Sequence, residues 1–300
     1  MCGTCGCSAD ALITLLPAPE PVPASAVHAG PQATGPGETS ADHVHTHVTA
    51  GNHAHGPHEH VHDHSGAGHD FRHLVPDSPE SGRTIRLQQK VLAKNDELAA
   101  ASRQWLRGRG ILAVNLMSSP GSGKTTLLAR TISELAGNMS VSVIEGDQET
   151  VLDAARIQAA GGRAVQINTG TGCHLDAEMV ARGLVGLDPP SGSVVVIENV
   201  GNLVCPALFD LGEAAKVVLA CVTEGADKPL KYPHMFRQAD LVLLNKIDLL
   251  PYVDFDVRQY CSDLRRVARD VMLLQLSATT GEGMQAWYDW LRQRVLPPPA

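Results

Sequence analysis

Ser118-Ser119-Pro120-Gly121-Ser122-Gly123-Lys124-Thr125-Thr126 is the stretch that decides the fold of this 300-residue chain. It follows the apolar run Ile111 to Met117 and opens a helical pattern over Thr125 to Leu135. Strand, glycine-rich turn, Gly-Lys-Thr and helix, in that order, make up a phosphate-binding loop. Ser118 stands where the first Gly of the pattern is usual, a mild departure because Ser is small and Gly121 and Gly123 are kept. Glycines let backbone N–H groups converge on phosphate oxygens, and the helix N-terminus adds positive potential. Lys124 can reach β and γ oxygens, the Thr125 hydroxyl can ligate Mg2+, and Gly121, Ser122, Gly123 and Thr126 complete the cradle.

Outward from this loop, short β-branched runs alternate with helical stretches. Val141 to Glu145, Ala164 to Ile167, Val194 to Glu198, Lys216 to Thr223, Leu241 to Asn245 and Val271 to Gln275 read as further strands. Asp176 to Leu187 and Val257 to Arg269 read as helices between them. Near-continuous apolar strands separated by helices predict an α/β fold of the P-loop NTPase class, with a mostly parallel sheet of about seven strands and helices on both faces. Upstream, a helix from Ser81 with Val91, Leu98 and Trp105 on one stripe, filled in by Leu87 and Lys94, ends at Gly108 and Gly110 and is expected to pack on this domain.

Asn245-Lys246-Ile247-Asp248 closes a strand at the edge where parallel sheets bind ligands. A carboxylate at Asp248 can accept from guanine N1–H and the 2-amino group, a donor pair that adenine lacks, and Lys246 can lie along the ring. With Ser277-Ala278 after the final strand, this points to GTP. Asp147, in Glu145-Gly146-Asp147, and Glu198, in Glu198-Asn199-Val200-Gly201, are the candidate acids for the Mg2+ shell; each can alternatively cap the helix that follows. Glu198 departs from the Asp common at that place. Lys124, Asp147 and Glu198 are the candidate catalytic residues. No Gln follows Gly201 to orient an attacking water, which predicts slow intrinsic turnover.

The composition is uneven. Of 14 His, 12 lie between His28 and His73, amid Pro, Gly, Ser and Ala. The chain therefore divides into residues 1–7, a low-complexity arm over 8–80 that is expected to lack fixed structure without metal, and a nucleotide domain over 81–300. A net charge of −8 with 24 Lys+Arg argues against nucleic acid. Apolar runs fall well short of the roughly 20 residues that span a bilayer, and no signal peptide is evident, so a cytoplasmic location is expected.

Seven Cys, three of them in Cys2-Gly3-Thr4-Cys5-Gly6-Cys7, favour thiolate metal ligands over disulfides in such a compartment. His43, His45, His47, His53, His55, His58, His60, His62 and His64 supply imidazoles for weak, exchangeable Ni2+ or Zn2+ sites. Cys173-His174 and Cys205 follow strands on the nucleotide edge and suggest a third site. One subunit offers three ligands, and a two-fold partner could complete it; buried packing is the alternative, above all for Cys205. Cys221 and Cys261 read as core thiols.

The Cys-x-x-Cys-x-Cys terminus, the His-rich arm, the phosphate loop, Glu145-Gly146-Asp147, Thr169-Gly170-Thr171-Gly172-Cys173-His174, the string Glu198 to Pro206 and Asp227 to Pro233 together resemble the HypB family, the GTPases of nickel insertion into nickel-iron hydrogenase. The resemblance covers residues 81–296 and the first seven. It implies Cys173, His174 and Cys205 as core metal residues and Cys2, Cys5 and Cys7 as a nickel motif. It further implies a GTP-dependent homodimer, a small zinc- and nickel-binding maturation partner, and delivery to the hydrogenase large subunit. On that resemblance Lys228 either touches nucleotide near the dimer interface or is a plain surface lysine. A urease-type nickel GTPase and a nickel store with vestigial nucleotide binding are the competing functions.

Overall fold

The structure, a computed structural model, describes residues 12–15, 79–147, 152–170 and 172–295. Elements run β1 (Leu12–Leu15), α1 (Pro79–Gly108), β2 (Leu112–Ser118), α2 (Lys124–Leu135), β3 (Val141–Asp147), α3 (Leu152–Ala159), β4 (Arg163–Asn168), α4 (Ala177–Leu187) and β5 (Val194–Glu198). They continue with β6 (Ala215–Cys221), α5 (Lys228–Lys231), α6 (Pro233–Arg237), β7 (Leu241–Asn245), α7 (Val257–Val267), β8 (Met272–Gln275) and α8 (Met284–Arg292). The sheet belongs to the larger of two compact units, Met1–Glu20 with Arg83–Ala300.

The sheet order is β1-β4-β3-β5-β2-β6-β7-β8. The seven strands expected from the sequence all form, and β2 to β8 are mutually parallel. An eighth, β1, was not anticipated; it lies in the low-complexity segment and pairs antiparallel with β4. A parallel sheet leaves one row of backbone N–H and C=O groups bare at each edge, and even a four-residue strand satisfies part of such a row.

Side chains alternate between the two faces. Leu112, Val114 and Leu116 of β2 join Leu127 and Ile132 of α2 and Trp287 and Leu291 of α8 in one core. Ala113 faces the other side, with Leu106 of α1 and Val180 and Leu184 of α4. Every residue of β2 is buried, as expected of a central strand covered on both faces.

Helix α1 departs from the apolar stripe read in the sequence. Its buried face is Asn95, Ala99, Ser102 and Leu106, while Trp105 is 39% exposed with Arg109 above its ring. A polar anchor sets the rotation: Asn95 Nδ2 donates to the Asp210 carbonyl at 2.8 Å and its Oδ1 accepts from Ala177 N at 2.9 Å. Gly212, at φ +84°, lets the chain approach the Ala99 carbonyl, where a Cβ would lie 2.7 Å away. Moving the buried face from Trp105 to Leu106 turns the helix by about 100°.

Candidate nucleotide and metal site

β2 ends at Ser118 and α2 begins at Lys124, so the loop between them crosses the carboxyl edge of the sheet. Gly121 (φ +73°) and Gly123 (φ +99°) hold left-handed conformations that side chains disfavour. Lys124 Nζ donates to Ser118 Oγ at 2.9 Å, and Ser122 Oγ meets the same oxygen at 2.7 Å. The serine that replaces the usual first glycine thus organises the loop from within. A cavity of 460 Å³ opens beside Gly121, Gly123, Lys124, Thr125 and Thr126, and its far wall is Glu145, Gly146, Asp147 and Glu198.

The acids are not equivalent. Glu198 is buried, and its Oε1 accepts from Thr125 Oγ1 at 3.3 Å while Oε2 has no hydrogen-bond partner. Burial pushes its carboxyl up to about 7, with Lys124 acting against the shift. Glu145, which sequence reasoning passed over as a site residue, pairs in register with Glu198 on the neighbouring strand. Its Oε2 is likewise buried without a hydrogen-bond partner. Burial, then the Glu198 charge, raise Glu145 to about 9. No motif spacing discloses this pair, because cross-strand register is a property of the sheet.

Both carboxyls hold protons in the folded chain at pH values where the unfolded chain has released them. Their contribution to stability is therefore complete below the ordinary carboxyl range and is lost as pH rises through about 7 and then 9. For the nucleotide-free chain without Mg2+, the thermal midpoint of the wild type relative to Glu145→Gln is expected to fall between about pH 6 and about pH 9. A difference that stays level or grows across that window would contradict this assignment.

The Asn245-Lys246-Ile247-Asp248 segment divides its labour. Asn245 Nδ2 donates to the Ser122 carbonyl at 2.9 Å and Oδ1 accepts from Ala278 N at 3.0 Å, so this side chain ties three loops together. A Cβ on Gly123 would lie 2.7 Å from Asn245 Nδ2, which is why that position is glycine. Lys246, at φ +62°, donates to the Gly121 carbonyl at 2.7 Å. Asp248 Oδ1 is buried without a hydrogen-bond partner. Ser277 and Ala278, which follow β8, are buried, with Ser277 Oγ accepting from Thr280 N at 3.0 Å. Lys228 lies 3.6 Å from Glu224, which also accepts from Ser119 Oγ of the phosphate loop.

Cys173, His174 and Cys205 come together. Their ligand atoms all lie within 4.8 Å of one another, and Cys173 Sγ is 3.6 Å from His174 Nδ1. They follow β4 and β5 on the same sheet edge as the phosphate loop. His174 stacks on Phe209 with ring centroids 4.0 Å apart, and burial lowers its pKa despite Asp176, so a neutral imidazole with a free lone pair is favoured. Two thiols and an imidazole suit zinc or nickel and leave coordination positions open. Cys221 is buried and hydrogen-bonded to Thr223 and Glu224, whereas Cys261 is only half-buried. Cys2, Cys5, Cys7 and the histidines His43, His45, His47, His53, His55, His58, His60, His62 and His64 lie outside the described residues. No helix among the described residues is long and apolar enough to cross a membrane.

Residues 112–275, more than half the chain, match the CobW/HypB/UreG nucleotide-binding domain. The hydrogenase maturation factor HypB of Rhizobium leguminosarum bv. viciae is 57% identical over 209 residues, 70% of each chain. The crystal structure of hydrogenase maturation factor HypB from Archaeoglobus fulgidus is 39% identical with a TM-score of 0.64, over 68% of this chain and 100% of that one. HypB from Helicobacter pylori, solved in complex with nickel, is 35% identical with a TM-score of 0.63, over 69% of this chain and 99% of that one. With a nucleotide-binding domain and relatives matched at this level, the chain belongs to the HypB family of hydrogenase maturation factors.

Proposed function

We propose that this chain is a GTP-hydrolysing nickel carrier that delivers nickel to the large subunit of nickel-iron hydrogenase. In this reading it acts as a GTP-dependent homodimer together with a small zinc- and nickel-binding maturation partner. The observation that carries it is the convergence of Cys173, His174 and Cys205 on the edge of the sheet that also bears the phosphate loop. Family membership supports the hydrogenase as destination, and the Helicobacter pylori relative solved with nickel supports the cargo.

Lys124 and the backbone N–H groups from Gly121 to Thr126 hold the β and γ phosphates, and Asp248 accepts from guanine, with Ser277 and Ala278 closing over the base. The orphaned Glu198 Oε2 beside the Thr125 hydroxyl is the donor set that suits Mg2+, with Asp147 the third candidate ligand. Mg2+, when bound, neutralises charge on the phosphate oxygens. Loss of the γ-phosphate frees Asp147 and residues 198–201 from the arrangement they hold around GTP. Cys2, Cys5 and Cys7 and the imidazoles between His43 and His64 hold further Ni2+ or Zn2+ upstream of the core pocket.

Cys205→Ser tests the core pocket in a chain whose Cys2, Cys5 and Cys7 are already Ala. Loss of a direct ligand is expected to weaken Ni2+ binding at least ~100-fold, since even second-layer partners of metal ligands are worth 10- to 100-fold. Chelator competition reads the affinity, with hydrogenase and urease activities of the expressing cells measured in parallel. Unchanged Ni2+ affinity would remove Cys205 from the pocket. Loss of urease alone would redirect the delivery.

A further inference from the structure

In sequence, the metal pocket meets the nucleotide site through the six residues between Glu198 and Cys205. The fold contains a shorter connection. Asn199, 1% exposed, lines the nucleotide cavity, yet its side chain serves another segment. Its Oδ1 accepts from Leu175 N at 3.2 Å as well as from Val200 N at 3.0 Å. Its Nδ2 donates to Asn115 Oδ1 at 3.3 Å, and Asn115 Nδ2 donates to Glu213 Oε1 at 3.3 Å. A buried polar chain rooted in β2 therefore fixes the plane of the Asn199 amide.

Leu175 directly follows His174, and it is held a second time. A Cβ on Gly146 would lie 2.7 to 2.9 Å from the Leu175 side chain, so Leu175 packs on the bare backbone between Glu145 and Asp147. Gly201, two residues beyond Asn199, packs on the phosphate loop at slightly longer range, where a Cβ would lie 3.1 Å from Pro120 N. The His174-Leu175 segment is thus bound to both walls of the nucleotide cavity. Parting Asn199 from Leu175 would leave a buried N–H unpaired, so the two segments shift together.

We propose that Asn199 is the positioning residue through which the nucleotide state sets the metal pocket: displacement of residues 198–201 draws the Leu175 N–H with it and moves His174 relative to Cys173 and Cys205. This rests on the reading that the two sites bind GTP and nickel.

The test is Ni2+ affinity of the full-length chain by chelator competition, at saturating GDP and at a saturating non-hydrolysable GTP analogue, each with Mg2+. Sites outside the pocket are subtracted with Cys205→Ser. The wild type is expected to show affinities that differ at least about 5-fold between the two nucleotides. Asn199→Ala should bring that ratio to within about 2-fold, whereas Asn199→Asp, which keeps the acceptor for Leu175 N–H, should retain most of it. If Asn199→Ala does not fold, Asn199→Ser, whose hydroxyl is too short to reach the Leu175 N–H, replaces it and should likewise bring the ratio to within about 2-fold. A wild-type ratio that persists in Asn199→Ala, or in Asn199→Ser where that variant replaces it, overturns the proposal and leaves the two-site reading standing. A wild type with no ratio at all overturns both.

Discussion

Lys124→Ala is expected to lower GTP turnover by ~10²- to 10³-fold, the usual cost of removing one preorganised donor from a developing negative charge. The Lys124 ammonium donates to Ser118 Oγ at 2.9 Å. Burial lowers its pKa, while Glu198 in first place, then Asp153, Glu224 and Asp147, act to keep it charged. It is thus a desolvated cation held by a neutral hydroxyl, free to move to phosphate oxygens without breaking a strong ion pair. Phosphate release by the purified chain measures the first effect. Metal stoichiometry and hydrogenase activity decide what turnover is for: a store keeps its metal and its cellular effect in this variant, whereas a GTP-driven carrier keeps its metal and loses delivery. Hydrogenase activity at wild-type level with turnover abolished would defeat the carrier reading.

Asp248→Asn should change which base is accepted. The buried Oδ1 of Asp248 has no hydrogen-bond partner in the protein, and two carboxylate oxygens match the N1–H and 2-amino donors of guanine. An amide keeps one acceptor and turns a donor toward the 2-amino group, so GTP affinity is expected to fall by at least ~10²-fold. Xanthosine triphosphate, with a carbonyl in place of that amine, should gain correspondingly. Displacement of labelled nucleotide by GTP, XTP and ATP measures all three. Unaltered preference for GTP would show that Asp248 does not read the base, and the role would pass to another residue near Ser277 and Ala278.

The contrast between Asp248 and Asn245 shows how far a motif can be read. Both belong to one four-residue string, but Asn245 spends its amide on Ser122 and Ala278 and holds loops, while Asp248 Oδ1 is buried without a hydrogen-bond partner. The string locates the site without telling a scaffold residue from a contact residue, since that depends on which backbone groups the tertiary fold brings alongside. Glu145 and Asn199 were invisible for the same reason. Neither stands at a motif position with known chemistry, and each acquires its importance from a neighbour far away in the chain, Glu198 across the sheet for one and Leu175 for the other.

By itself the sequence determined the local grammar: seven parallel strands, the phosphate loop after the first of them, and the turns that carry Cys173-His174 and Cys205 on the carboxyl edge. Those follow from short, near-continuous β-branched runs and from turn chemistry, which act over a few residues. Tertiary structure alone decided the rotation of α1, the pairing of the Glu145 and Glu198 carboxyls, and the approach of Cys173 and His174 to Cys205 within 4.8 Å. Each of these turns on register and distance between segments separated along the chain, quantities that arise only when strands align and buried polar groups find their partners.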